Sequence, residues 1–275
     1  MKRIILRGAL ALAVALPGLL AQPKPKSQAE LEALKTMYDA PTADARIAAC
    51  ENVLTKFADT EFKAIALYFE AASYDQKRDY ANTLVFGERT IEADPKYYQA
   101  MLLLAGVIAQ HTKEFDLDRD EKLTQVNKYA KTAIDLLKEA PKPNPNITDD
   151  QWTEAKKEAA AEAHAAMGMG AMVSKKYDVA ESEYKLALSG MDKPDPATMV
   201  RLGKAYSEEG KYDDAIAQFD KVMAIPDVNT TVRQVAQAER VRTIQKKNPP
   251  KPADAAPPAT PPATPEPPKP EAPKQ

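Results

Sequence analysis

The residue types that do chemistry are few and far apart in this chain of 275 residues. A single cysteine excludes an intrachain disulfide framework and any multi-cysteine zinc site. The two histidines, His111 and His164, stand 53 residues apart and leave little for a histidine-ligated metal. No serine, cysteine or carboxylate constellation in the sequence can be tied to His164, and His111 reads as a helix-ending residue that suits the dipole. Asp116-Leu117-Asp118-Arg119-Asp120 offers the first three ligands of a calcium loop, yet the places that need Gly and a bidentate Glu hold Glu121 and Asn127. A solvated acidic turn opening the next helix is therefore expected. Cys50 shares a helical face with Ile47 and Val53 and has no histidine or basic neighbour to activate it, so it reads as core. Met167-Gly168-Met169-Gly170 is too short to cradle a phosphate and falls inside a helical pattern. There is no His-Glu-x-x-His and no Gly-x-Ser-x-Gly. No catalysis, cofactor or metal is expected.

The elements that hold these residues follow from composition. Thirty-eight Lys+Arg against 40 Asp+Glu give no bulk attraction to nucleic acid. Glycines number nine, and 12 of the 23 prolines fall in residues 248–275, so the rest of the chain has few backbone breakers and predicts helices. At the start, Lys2, Arg3 and Arg7 precede an uncharged apolar run ending in Leu19-Leu20-Ala21, which reads as a signal peptide over residues 1–21. The run is too short to span a bilayer, and the mature chain is expected to carry no transmembrane segment. Export to a bacterial periplasm or to the medium is the expectation. Residues 22–27 form a linker, and residues 248–275 a Pro/Ala-rich tail that favours extended polyproline conformations over a packed core.

Between them the chain repeats itself. Ala71-x-x-Tyr74 leads to Asp79-Tyr80, Gly203-x-x-Tyr206 leads to Lys211-Tyr212, and Gly168-x-x-Ala171 leads to Lys176-Tyr177. A looser copy holds Ala105-x-x-Ile108. Ala71 to Ala105 is 34 residues and Gly168 to Gly203 is 35, while Ala105 to Gly168 is 63, with insertions placed at residues 112–121 and 140–160. The pattern resembles the tetratricopeptide repeat, a helix-turn-helix unit of about 34 residues, and Asp94-Pro95 looks like its closing dipeptide. The resemblance implies an all-α solenoid of antiparallel helix pairs, with repeats at about 64–97, 98–138, 151–193 and 196–228. A degenerate pair at 28–60 precedes them and a capping helix at 230–247 follows. Thr148-x-x-Gln151 marks a capping box opening a long helix.

Tetratricopeptide proteins bind peptides on the first helix of each pair, and that resemblance places a groove on particular residues. The first pair contributes Ile65, Tyr68, Ala72 and Gln76; the second Gln99, Leu102, Gly106 and Gln110. The third contributes Glu162, Ala165, Met169 and Met172, and the fourth Val200, Lys204 and Ser207. Lys204 is the one cation of the set, so a clamp for a ligand's terminal carboxylate is missing and an apolar or helical segment suits it better. Two occupants of that face stay open: a bound segment, or the protein's own helices. The functional expectation is an exported, non-enzymatic scaffold for a protein or peptide of the cell envelope. The alternative is an envelope-assembly or cell-wall component tethered through its Pro-rich tail.

Overall fold

The computed structural model describes residues 23–249 apart from 145, 190 and 192. The signal peptide expected at 1–21 and all but the first two residues of the expected tail lie outside the described residues. Eleven helices run through the described part: α1 Gln28–Asp39, α2 Ala43–Lys56, α3 Lys63–Gln76, α4 Tyr80–Ala93, α5 Tyr98–His111, α6 Arg119–Glu139, α7 Asp149–Val173, α8 Tyr177–Leu188, α9 Pro196–Glu208, α10 Tyr212–Ala224 and α11 Thr230–Lys247.

Local chemistry sets most of their ends. The side chains of Ser27, Thr42, Asp79, Asp195 and Asn229 each accept a first-turn backbone N–H. Thr148 and Gln151 form the reciprocal capping box of α7, and Pro196 opens α9 where its missing N–H is harmless. Three turns inside helix pairs share one construction. Asp79 N–H donates to Tyr74 O, Lys176 N–H to Ala171 O and Lys211 N–H to Tyr206 O, all at 2.9 Å. In each the residue before the donor is left-handed: Arg78 at φ 61°, Lys175 at φ 57° and Gly210 at φ 80°. This is the Schellman termination, repeated at equivalent places in three copies although only one uses glycine. The second copy departs from it. Its turn, residues 112–118, is four residues longer, and α6 begins about one helical turn earlier than its counterparts.

Each helix packs on the next, and first helices also meet across pairs, α3 with α5, α5 with α7 and α9 with α11. The apolar core is accordingly a row of clusters. Leu34, Met37, Cys50, Val53 and Phe62 join α1, α2 and α3. Leu104, Ala105 and Ile108 of α5 meet Val126, Ala130 and Ala133 of α6 and Ala163, Ala166 and Met167 of α7. Further along, Tyr184 lies against Leu202 and Ala205, and Phe219 against Val200, Val222 and Ala236. Glycine makes the tightest of these fits possible. A Cβ on Gly168 would stand 2.6 Å from Tyr184 Cε1, and one on Gly203 2.6 Å from Phe219 Cε1. In the first copy both facing places are small, Ala71 and Gly87, and Leu104 of the next pair fills the space, 2.7 Å from where a Gly87 Cβ would be.

The capping helix buries Ala236 and Thr243 and half-buries Val232 and Ile244, whereas Val235 and Val241 face solvent. No helix among the described residues is long and apolar enough to cross a membrane.

Candidate functional site

The face of the first helices is built by three accessible stripes and closed at one end. On α3, Ile65, Tyr68 and Ala72 are half-buried and Gln76 is exposed. Ile65 leans on the cluster under α1 and α2, and the Tyr68 ring lies 5.1 Å from that of Tyr97 and 6.1 Å from that of Phe69. Phe69 in turn meets Tyr38 of α1 edge-on at 5.2 Å. Four rings from α1, α3 and the turn before α5 thus form one half-buried aromatic row. Burial raises the phenol pKa of Tyr38, and raises that of Tyr97 well above the ordinary value, so both stay neutral hydrogen-bonding groups. Tyr38, Phe69 and Tyr97 are absent from the sequence-based set. Their only signal is an aromatic at the end of α1 and a Tyr97-Tyr98 doublet, and their meeting is tertiary.

The α5 helix is buried almost all round, and its accessible stripe is Gln99, Leu103, Gly106 and Gln110. Leu102, expected on that stripe, is 8 % exposed and packed in the cluster shared with α6 and α7. The reason is angular: steps of four, three and four residues from Gln99 reach 103, 106 and 110, and Leu102 is rotated about 100° from Leu103. On α7 the stripe is Glu162, Ala165, Met169 and Met172, with Glu162 exposed and the methionines half-buried over two clusters.

At α9 the face ends. Val200 is 5 % exposed and packs with Phe219 and Ala236. Lys204 faces Glu239 of α11 at 3.8 Å, and the Thr243 hydroxyl donates to Ser207 Oγ at 3.0 Å. The protein's own capping helix therefore covers Val200 and Ser207, while the Lys204 side chain stays 44 % exposed beside it. What remains is a face of amides, methionines and aromatic rings over α3, α5 and α7, with the Glu162 carboxylate on its α7 stripe.

The residues weighed for catalysis are engaged elsewhere. His164 Nδ1 donates to Glu183 Oε2 at 2.8 Å, tying α7 to α8 through a carboxylate partner that sequence spacing does not show. No hydroxyl or thiol among the described residues is hydrogen-bonded to its other nitrogen. His111 donates through Nδ1 to Val107 O and stacks on Tyr80 at 4.3 Å. Asp116 and Asp118 both face Lys122, and Asp120 pairs with Arg119, so the acidic turn is braced by cations. Burial pushes the Cys50 thiol up to about 12, which leaves it inert.

No protein-family model matches the chain, and no curated protein matches it. Among solved structures it is similar to the crystal structure of a thermophilic TPR protein from Thermus thermophilus. The two share 20 % identity over 77 % of this chain and 99 % of that one, with a TM-score of 0.52. At that identity the likeness carries the fold alone: an all-α solenoid whose helices pack pairwise as in tetratricopeptide proteins.

Proposed function

We propose that this protein is a non-catalytic scaffold that holds an apolar or helical segment of another protein on the face of α3, α5 and α7. The observation that carries this reading is the aromatic row Tyr38–Phe69–Tyr68–Tyr97 continuing into the stripes of Gln99 and Met169. Rings and thioethers there are half-buried, neutral and held on helices, which suits adaptable apolar contact with a few amide hydrogen bonds. The charge pattern gives no carboxylate clamp, because Lys204 is the one cation of the set and faces Glu239 at 3.8 Å. Residues 1–21 act as an export signal in this reading, and the ligand belongs to the cell envelope. Amino-terminal sequencing of the exported protein is expected to begin at Gln22.

The test is capture from an envelope extract by the wild-type chain, by Tyr68→Ala/Gln99→Ala/Met172→Ala, and by Val85→Asp on the opposite, second-helix side. Loss of a specific partner in the triple variant, with retention in Val85→Asp, supports the face. Retention of every partner by the triple variant, folded by circular dichroism, refutes it.

A further inference from the structure

The aromatic row on α1, α3 and the turn before α5 has the chemistry of a polyproline-binding surface. Successive ring centroids from Tyr38 through Phe69 and Tyr68 to Tyr97 are 5.2, 6.1 and 5.1 Å apart, one continuous run of contacting rings. Half-buried rings of this kind receive proline rings in flat apolar contact. The amides of Gln76 on α3 and Gln99 on α5 flank the row. They can donate to the backbone carbonyls that a polyproline helix leaves without internal partners.

The same chain carries a segment of matching chemistry. In the sequence of the tail, proline recurs at every third position twice over, as Pro262-x-x-Pro265-x-x-Pro268 and as Pro267-x-x-Pro270-x-x-Pro273. Three residues per turn put each triplet on one edge of a polyproline helix, at steps of about 9 Å. The reach is sufficient. The α11 helix ends beside α9, where Lys246 pairs with Glu208 at 2.7 Å, and α9, α7, α5 and α3 follow as successive contacting neighbours. Four steps of about 8–10 Å between axes put α3 roughly 40 Å from α11, a span that about 13 extended residues cross at ~3.1 Å each. Pro262 stands 13 residues beyond Pro249, so the triplets begin where the row is reached. Three lysines and three carboxylates leave the side chains of residues 250–275 neutral, so charge neither draws them to the face nor holds them off.

We propose that residues 262–273 dock on the row of Tyr38, Phe69, Tyr68 and Tyr97 within the same chain, as a polyproline helix whose every third proline sits against the rings. This rests on the reading of that face as a peptide surface, and it makes the chain itself the resident occupant that an outside segment must displace. A segment that binds with a Kd of about 0.1 mM as a free peptide is roughly nine-tenths docked once its tether holds it at about 1 mM. An outside ligand then meets an open face in about one molecule in ten, and its apparent affinity falls about tenfold.

A nitroxide carried on Ala272→Cys in the full chain tests this, through the broadening of amide signals in an isotopically enriched sample. Cys50 is fully buried with its thiol pushed up to about 12, so the reagent takes the introduced thiol alone. Amides of Tyr68, Phe69, Tyr97 and Gln99 are expected to broaden and those of α8 and α10 to stay sharp, equally at low and high salt. Adding Pro265→Gly/Pro268→Gly/Pro270→Gly, changes that lie outside all eleven helices, is expected to restore the four signals. Tyr68→Ala/Gln99→Ala is expected to do the same to the amides that remain, in a chain whose spectrum is otherwise native. Sharp signals at all four positions without these changes, or broadening that survives the proline changes, overturns the proposal. An equal mixture of nitroxide-bearing, unenriched chain with label-free, enriched chain is expected to show no broadening. Broadening there overturns docking within one chain and assigns the segment to a second copy. The outcome separates from capture of a partner. Capture lost in the triple variant with no broadening removes the tail alone, and broadening with capture unaltered removes the outside partner alone.

Discussion

Glu70 of α3 has no exposed surface, and neither carboxylate oxygen has a hydrogen-bond partner. Burial, then the nearby charge of Glu51, pushes its pKa up from 4.5 to about 7, against the opposing pull of Arg89. Such a group charges only at a desolvation cost. The folded chain holds this proton where the unfolded chain has released it, so the contribution is whole below 4.5 and is lost as pH rises to about 7. Glu70→Gln is therefore expected to flatten the fall of the melting temperature between about pH 5 and 8. Above that window it is expected to be more stable than wild type by on the order of 2 kcal/mol. Equal pH slopes in the two proteins would show that Glu70 finds a partner in solution. Cys50, in the same α1–α2–α3 junction, shows the bland outcome of burial, a neutral thiol that packs and does nothing else.

Between helices the deciding contacts are ring against backbone. Gly168→Ala puts a methyl into the Tyr184 ring, and the expected loss is about 1–2 kcal/mol in denaturant unfolding, after the gain in helix propensity is subtracted. Gly106 is the control: its nearest atom, Gln110 Nε2, would be 4.0 Å from an added Cβ, so Gly106→Ala should gain about 0.5–1 kcal/mol. A loss at both positions would mean that helix flexibility, not packing, is what these glycines supply. The contrast also explains what the sequence makes legible. Gly168 and Gly203 are recognisable because a small residue recurs beside a tyrosine at a fixed spacing, and helix ends are recognisable because Ser27, Thr148 and Asp195 act locally. Stripes are less secure: placing Leu102 outward misjudges a rotation of one residue on a helix apolar on nearly every side. The aromatic row and the covering of α9 by α11 depend on neighbours about 30 residues away in sequence, and no local spacing encodes them.

Over the whole molecule, stability is distributed unevenly along the row of clusters. The α7 helix is 25 residues long, and residues 149–160 contain no buried side chain, whereas Ala163, Ala166, Met167, Gly168, Gly170 and Ala171 are buried. Its outer turns hang on the capping box and on Trp152, whose Nε1 donates to Ala140 O at 3.2 Å. Hydrogen exchange is expected to be fast over 149–160 and slow over 163–171, with Trp152→Phe speeding only the first segment. Uniform protection along α7 would show that the outer turns are held by something more than these two anchors. Across pairs, lysines reach from one unit to the next, Lys77 to Asp44, Lys211 to Glu181 and Lys246 to Glu208. The Lys77 and Lys246 pairs are exposed on both sides and add little stability each. The glycine contacts bear on heredity as well as packing. Gly168 and Tyr184 are a matched couple inside one pair, as are Gly203 and Phe219, but the hollow at Gly87 is filled by Leu104 from the following pair. A crossover that moved α3 and α4 alone would carry off a lock without its key. The smallest segment that keeps such a glycine with the side chain filling it thus differs along this chain: a helix pair near its carboxyl end, and a helix pair plus its successor near its amino end.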